Sequence, residues 1–334
     1  MNVVEIRGPG MDHIARATRP EVRPLPGQVL LRMKAASLNF KDIMMATGVI
    51  PLQYPRIPLS DGVGVVAEVG EGVTRVKVGD RVCPIFFLDW LAGPYDPKVY
   101  TVDLGGAVDG VLREAMTISA QAIVKVPDYL SDEEAATLPC AGLTAWSALT
   151  THCSVHPGQT VLIEGTGGVS IFALQFARLM GAETIVLSAS DEKLERARAL
   201  GAHHIVNYRQ SPQWSERVLE LTGGRGADVV VEVGGANTFD QAVTALAAGG
   251  HICQVGLLGG LEAKMPVMTF MRKAAHVHGI AVGSRENFEG MLRALELHRV
   301  KPVIDRRFAF EEAARAFEYL GGQSHLGKVT IQIG

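Results

Sequence analysis

The stretch VLIEGTGGVSIFALQFARLMGA, residues 161–182, decides the fold. Val161, Leu162 and Ile163 form a short apolar run of the kind that serves as a strand buried on both faces. Gly165, Gly167 and Gly168, with Thr166 among them, permit a tight turn and let backbone amides come close to a ligand. Segment 171–182 is an apolar helix. Val169 and its neighbours place unpaired N–H groups at the start of that helix, and with the helix dipole they favour a phosphate. The pattern predicts a dinucleotide-binding βαβ unit. It runs Gly-x-Gly-x-x-Ser, with Ser170 where a third glycine is usual. The alternative is a glycine loop that only turns the chain.

The context decides between them. Further apolar runs follow at TIVLS (184–188), HIVNY (204–208), DVVVEV (228–233), HICQVG (251–256) and VHGIAV (277–282). Strands alternating with helices in this order predict an α/β fold with a doubly wound parallel sheet of Rossmann type. The flanking sequence has another texture. Short β-rich runs broken by Gly and Pro, such as QVLLRMKAASL (28–38) and GVGVVAEVG (62–70), predict a small barrel-like β-rich domain. Residues 86–110 carry too many Gly, Pro and Asp for a regular element and predict a long functional loop. Ser131 followed by Glu134 predicts a capping box. Leu292, Leu295 and Leu297 belong to a helix leaving the nucleotide-binding region, FEEAARAFEYL (310–320) is a second amphipathic helix, and KVTIQI (328–333) is a last strand returning to the first domain. The expected division is 1–125 with 284–334 as a discontinuous β-rich domain, and 126–283 as the dinucleotide-binding domain.

Composition narrows the function classes. The 334 residues are 47% hydrophobic and 20% charged with 37 glycines, which fits a compact enzyme and excludes disorder. A net charge of −3 without like-charge runs argues against nucleic acid or an anionic membrane as partner. No apolar run is long enough to span a membrane and no signal-peptide pattern begins the chain, so the expected compartment is the cytoplasm. Cys83, Cys140, Cys153 and Cys253 are too widely spaced in sequence to suggest a disulfide framework or a paired-cysteine zinc site.

The segments SLNFKDIMMATG (37–48), DGVGVVAEVGEGVTRVKVGDRV (61–82), ATLPCAGLTAW (136–146) and HLGKVTI (325–331), together with the glycine turn, resemble the medium-chain dehydrogenase/reductase superfamily, in its zinc-less, quinone-oxidoreductase-like or alcohol-dehydrogenase-like branch. The resemblance covers essentially the whole chain. It implies a GroES-like catalytic domain, a Rossmann domain, an active-site cleft between them, hydride transfer with NAD(P), and a homodimer or homotetramer joined through the outer Rossmann strand. The metal-ligand positions of zinc-dependent relatives fall on Asn39, Asp61 and Cys140, a poor zinc set, so no metal is expected. Cys140 reads as a small buried residue and Asp61 as a tight-turn residue. Tyr54 and Trp90 are lesser pocket candidates.

The second nucleotide-binding strand ends in Ser188 rather than the Asp or Glu that bonds a ribose 2′-hydroxyl. Ser188, Ser190 and Lys193 suit a 2′-phosphate. Related reductases imply a role for Asn207 and for Tyr208, which would stack on adenine. NADP(H) is therefore expected, with NAD(H) as the alternative. Thr144, Val233, Gly256, Leu257 and Val282 are expected near the nicotinamide, because dinucleotides lie at the carboxyl ends of the strands. The resemblance adds Lys328 near the cofactor phosphates. The expected catalytic residues are Asn39 as hydrogen-bond donor, Lys41 as proton donor or anion site, and Asp42, which orients the loop or pairs with Lys41. The substrate class is a small quinone or α,β-unsaturated carbonyl. Alternatives are an alcohol or aldehyde dehydrogenase, or a non-catalytic NADPH-binding protein.

Overall fold

In the computed structural model, which describes residues 1–260 and 262–334, the amino-terminal part is built from short antiparallel strands. β1 (Asn2–Ile6) pairs with β2 (Ile14–Thr18). Then come β3 (Gln28–Ser37), β4 (Asp61–Val69), β5 (Arg81–Pro84), β6 (Ala115–Ser119) and β7 (Ile123–Lys125). The middle of the chain supplies β8 (Thr160–Glu164), β9 (Glu183–Ser188), β10 (His204–Asn207), β11 (Ala227–Glu232), β12 (Leu246–Gln254) and β13 (His276–Gly279), with helices between most of them. The carboxyl-terminal part adds β14 (Ile304–Ala309) and β15 (Lys328–Gln332).

These strands form two principal sheets. β8 to β13 make a six-stranded sheet in the order β10-β9-β8-β11-β12-β13. All of its pairings are parallel. This is the doubly wound dinucleotide-binding topology, in which the order reverses between β8 and β11. Its central strand β8 is buried at every position, as both faces are covered. The seven-stranded sheet runs β14-β15-β3-β4-β5-β7, with β6 also on β3. β15 lies antiparallel to β3, with Thr330 opposite Ser37. The carboxyl-terminal strand thus completes the sheet begun at the amino terminus.

The chain divides into Met1–Leu143 with Val282–Gly334, and Thr144–Ala281. Residues 126–143, expected in the dinucleotide-binding part, belong to the first unit instead. The reason is local: the helix Asp132–Ala136 packs on β3 and β4, and Arg81 on β5 holds the Asp132 carboxylate at 2.8 Å. The capping box that starts this helix is present, with the Ser131 hydroxyl accepting from the Glu134 N–H at 3.2 Å and the Glu134 carboxylate accepting from the Ser131 N–H at 2.8 Å. The helix Arg285–His298 buries Leu292 and Leu295 and leaves Leu297 exposed.

Ser131→Ala should remove one half of this reciprocal cap. The expected loss is about 1 kcal/mol of unfolding free energy. Denaturant titration should register it as a lowered midpoint with an unchanged slope, and Ser131→Asp should restore the midpoint.

Candidate active site

In the first unit, β3 ends in Ser37 and the chain turns through Leu38 and Asn39 into the helix Phe40–Ala46. The Asp42 carboxylate accepts from the Asn39 backbone N–H at 2.7 Å and so pins this turn. Asp42 is completely buried, and burial pushes its carboxyl up to about 6 against the attraction of Lys41. Lys41 makes no ion pair with Asp42. Its ammonium donates to the Leu104 carbonyl at 3.0 Å, stands 3.5 Å from the Asp103 carboxylate, and lies 4.0 Å from the centre of the Phe86 ring. Lys41 therefore ties the first turn of the helix to the 86–110 loop.

Lys328 is the centre of the arrangement. It opens β15 and is 3% exposed. Its ammonium donates to the Leu38 carbonyl at 2.6 Å and to Asn39 Oδ1 at 2.6 Å, and stands 3.9 Å from Asp61 Oδ2. Burial pulls Lys328 below the ordinary lysine range, and the Asp61 carboxylate opposes that pull. Burial pushes Asp61 upward, and Lys328 opposes it in turn. The hydrogen bonds of Lys328 go to the turn between β3 and the helix Phe40–Ala46.

Asp61 is the first residue of β4 and fully buried, where its Ser-Asp-Gly setting suggested a tight turn. Its carboxylate accepts from the Ser60 hydroxyl at 2.8 Å and from the Cys140 N–H at 3.2 Å. Burial, then the Asp61 charge, push the Cys140 thiol up to about 12, so it stays protonated. Asn39, Asp61 and Cys140 thus surround a lysine ammonium. With Oδ1 of Asn39 held by Lys328, its buried Nδ2 has no partner of full hydrogen-bond geometry among the described residues, and the acceptor beside it is the Asp61 carboxyl. Tyr54 and Trp90 take no part in this network: the Trp90 indole donates to the Gly93 carbonyl at 3.1 Å.

In the second unit the glycine turn follows β8. The helix begins at Gly168, earlier than the expected 171, and runs to Leu179. Gly165 has φ +71, which glycine adopts without strain. No side chain caps the helix start at Gly167, so the first-turn amides of Gly168 and Val169 remain available to an anion. The Ser170 hydroxyl donates to the Glu164 carbonyl at 2.7 Å, which lets serine sit where glycine was expected. Thr144 and Thr166 are buried, and Val233 follows β11. A Cβ on Gly256 would meet the Val233 carbonyl oxygen at 2.0 Å, so the two strand-end loops pass in direct backbone contact. Leu257 is exposed beside it. Val282, in the first unit, holds φ +54, a strained backbone for a β-branched residue and a common mark of ligand-binding positions.

At the end of β9, the Ser188 hydroxyl accepts from the Ser190 N–H at 3.3 Å and the Ser190 hydroxyl caps the next helix at the Lys193 N–H, also 3.3 Å. Asn207 donates to Asp191 Oδ1 at 2.7 Å and Gln210 to Oδ2 at 2.9 Å, so both oxygens of that acid are engaged. Tyr208 is 42% exposed, with its ring accessible.

One pair escaped the sequence reading. Glu164 and Glu232 end β8 and β11, the two strands at the topological switch, and both are buried. Glu232 accepts from the Gly235 N–H at 2.8 Å and from the Thr238 hydroxyl. Burial, followed by the Glu232 charge, pushes Glu164 well above the usual carboxylate range. The available signal was a carboxylate closing each of two apolar strands, VLIE and VVVE.

A family model for the alcohol dehydrogenase GroES-like domain matches residues 25–128, and one for zinc-binding dehydrogenases matches residues 168–296. A zinc-type alcohol dehydrogenase-like protein of Schizosaccharomyces pombe is 43% identical over 318 residues, spanning 92% of this chain and 91% of its own. A Sinorhizobium meliloti 1021 protein provisionally described as an alcohol dehydrogenase has a crystal structure with TM-score 0.90 and 42% identity, over 96% of this chain and 95% of that one. An NAD-dependent alcohol dehydrogenase structure gives TM-score 0.91 and 34% identity over 100% of both chains. More distant are the acryloyl-coenzyme A reductase of Metallosphaera sedula, 28% identical over 99% of both chains, and a mycobacterial protein complexed with NADPH, TM-score 0.84 and 26% identity over 100% of both.

The Glu164 shift carries a pH prediction. A carboxyl raised in the folded state binds its proton more tightly than in the unfolded chain. Stability is therefore full below the ordinary carboxylate range and falls as pH rises from there toward the elevated folded value. Glu164→Gln removes that loss. Its stability should match wild type near pH 4 and exceed it at pH 8, by about 1.4 kcal/mol for each pH unit that separates the folded from the unfolded value. Calorimetry across that range checks it, and an equal shift at both pH values would contradict the assignment.

Proposed function

This chain belongs to the medium-chain dehydrogenase/reductase superfamily, and from that premise we propose that it is an NADP(H)-dependent reductase of α,β-unsaturated carbonyl compounds or quinones that works without a catalytic zinc. The observation carrying this reading is the Lys328 ammonium among Asn39 and Asp61, two of the positions that answer to zinc ligands in related dehydrogenases. The positive charge there is covalently part of the chain.

The donors present fit a dinucleotide. The uncapped start of the Gly168–Leu179 helix suits a pyrophosphate, and the absence of a carboxylate at Ser188 suits a 2′-phosphate. Asp191, whose oxygens are taken by Asn207 and Gln210, is held back from a ribose by the same contacts. The NADPH complex of a mycobacterial relative supports NADP(H); the NAD-dependent relative keeps NAD(H) as the alternative.

When bound, the nicotinamide supplies or accepts hydride. Hydride arriving at the β-carbon of an enone leaves negative charge on the carbonyl oxygen. The Asn39 Nδ2 donor meets that oxygen, and Lys328 acts on it through Asn39, by fixing the amide and adding positive charge behind it. Lys328 is in this sense a positioning residue. Lys41, 18% exposed at its side chain, supplies the proton that completes reduction at the α-carbon. The acryloyl-coenzyme A reductase relative acts on a substrate with the required conjugated C=C–C=O group. Asp61 and Cys140, both zinc-donor types, favour the second reading, a zinc-dependent alcohol or aldehyde dehydrogenase.

Purified protein should oxidise NADPH with small enones or quinones in excess chelator while remaining folded by circular dichroism. Asn39→Ser, which keeps a helix-capping oxygen but loses the amide donor, should lower kcat about a hundredfold with NADPH affinity unchanged in fluorescence titration. Chelator-abolished turnover in folded protein, together with alcohol oxidation in its place, would decide for the second reading. Tight NADPH binding with no turnover on the acceptor panel would decide for a non-catalytic role.

A further inference from the structure

The outer edge of the parallel sheet carries a donor cluster that hydride transfer does not use. β12 and β13 pair in parallel with His251 opposite His276 and Cys253 opposite His278. Residues two apart on a strand share a face, so these four side chains project from one side of the sheet. On that side the turn Ala148–His152 ends, and Cys153 follows it. The result brings together residues that are remote in sequence. His251 Nδ1 lies 2.8 Å from His278 Nε2. Cys153 Sγ lies 2.9 Å from Cys253 Sγ, across 100 residues of chain. One ligand atom each from Cys153, His251 and His278 falls within 4.8 Å of the other two. Both cysteines are buried and both histidines half-buried. The His276 ring stacks on His251 at 4.8 Å and the His152 ring lies 5.8 Å from His278, walling the cluster on two sides.

We propose that Cys153, His251 and His278 bind a zinc ion, with Cys253 as the fourth ligand of a tetrahedral Cys2His2 site. The donor set argues for zinc. Two sulfurs and two imidazole nitrogens are the ligands of structural zinc, and they disfavour magnesium or calcium, which take oxygen. The geometry argues for it too. Zinc bonds of about 2.0–2.1 Å to nitrogen and about 2.3 Å to sulfur set neighbouring ligand atoms roughly 3.3–3.8 Å apart. The nitrogens need to open by about half an ångström and the sulfurs by about an ångström to reach that range, while ligand atoms standing as far as 4.8 Å apart need to close by about an ångström. On binding, the two thiols lose their protons to solvent and no electrons are exchanged. A zinc ion here fastens the 148–153 turn to the last two strands of the sheet, a structural role, and its ligands are all different residues from those around Lys328.

The test uses the full chain, reduced, stripped with chelator and desalted, then titrated with cobalt(II) as a spectroscopic stand-in and afterwards with zinc. One equivalent of cobalt should bring up a thiolate-to-metal charge-transfer band and the intense visible bands of tetrahedral coordination, and zinc should erase both. Zinc should also raise the melting temperature. Cys153→Ser, His251→Asn and His278→Asn should each cut retained metal at least tenfold, while Cys140→Ser retains it as wild type does. Wild-type protein that shows no thiolate band with cobalt overturns the proposal irrespective of how the variants fold. So does metal that is lost in Cys140→Ser yet kept in His251→Asn, which would instead place the ion near Lys328 and count against the zinc-free reductase. Recovery of a Cys153–Cys253 disulfide and no metal from protein kept under reductant would overturn it as well.

Discussion

A lysine buried to 3% exposure holds the first unit together. Taking an ammonium out of water costs several kcal/mol, and only well-placed partners offset it. Lys328 finds them 290 residues away, at the Leu38 carbonyl, and 289 residues away, at Asn39 Oδ1, with Asp61 just beyond. Those partners exist only if β15 lies on β3 and β4 begins beside them. The contact therefore fixes where the carboxyl-terminal strand goes, which way the Asn39 amide faces, and why Asp61 is tolerated in a fully buried place. Loss of either charge alone would strand the other in an apolar setting, so the pair and the fold stand together.

The second unit meets the same cost in a different way. Glu164 and Glu232 come to the ends of adjacent parallel strands, and two buried carboxylates side by side cannot both ionise easily. Glu232 takes the N–H of Gly235 and the hydroxyl of Thr238, and Glu164 is the one whose carboxyl is pushed upward. The backbone around them is drawn tight. Gly256 passes so near the Val233 carbonyl that no side chain fits. Ser170 turns its hydroxyl back onto the Glu164 carbonyl, which is how a serine replaces the third glycine of the turn.

Much of this architecture was legible in the sequence because it is written in local periodicity and turn chemistry. All six parallel strands lie within a few residues of the apolar runs that announced them, and the Ser131 capping box is where its four-residue spelling put it. Other features were misplaced for physical reasons that can be named. Residues 126–143 carry no change of composition, yet Arg81 and the packing of the Asp132–Ala136 helix draw them into the first unit. Asp61 looked like a turn because Ser-Asp-Gly is turn chemistry, and only the partners Ser60, Cys140 and Lys328 make it an interior acid. Lys41 and Asp42, adjacent in the chain, point to different partners because successive helical residues face different directions.

What the sequence by itself determined is therefore the fold class, the glycine turn with its open helix start, and the residue types at Asn39, Lys41, Asp42 and Ser188. These depend on interactions within a few residues, where spacing and chemistry coincide. The tertiary structure alone decided that Lys328 stands among Asn39 and Asp61, that Glu164 shares its interior with Glu232, and that Cys153 meets Cys253 beside two histidines. Each of those meetings joins segments remote in the chain, and the sheet register and burial that create them appear only when the strands are assembled.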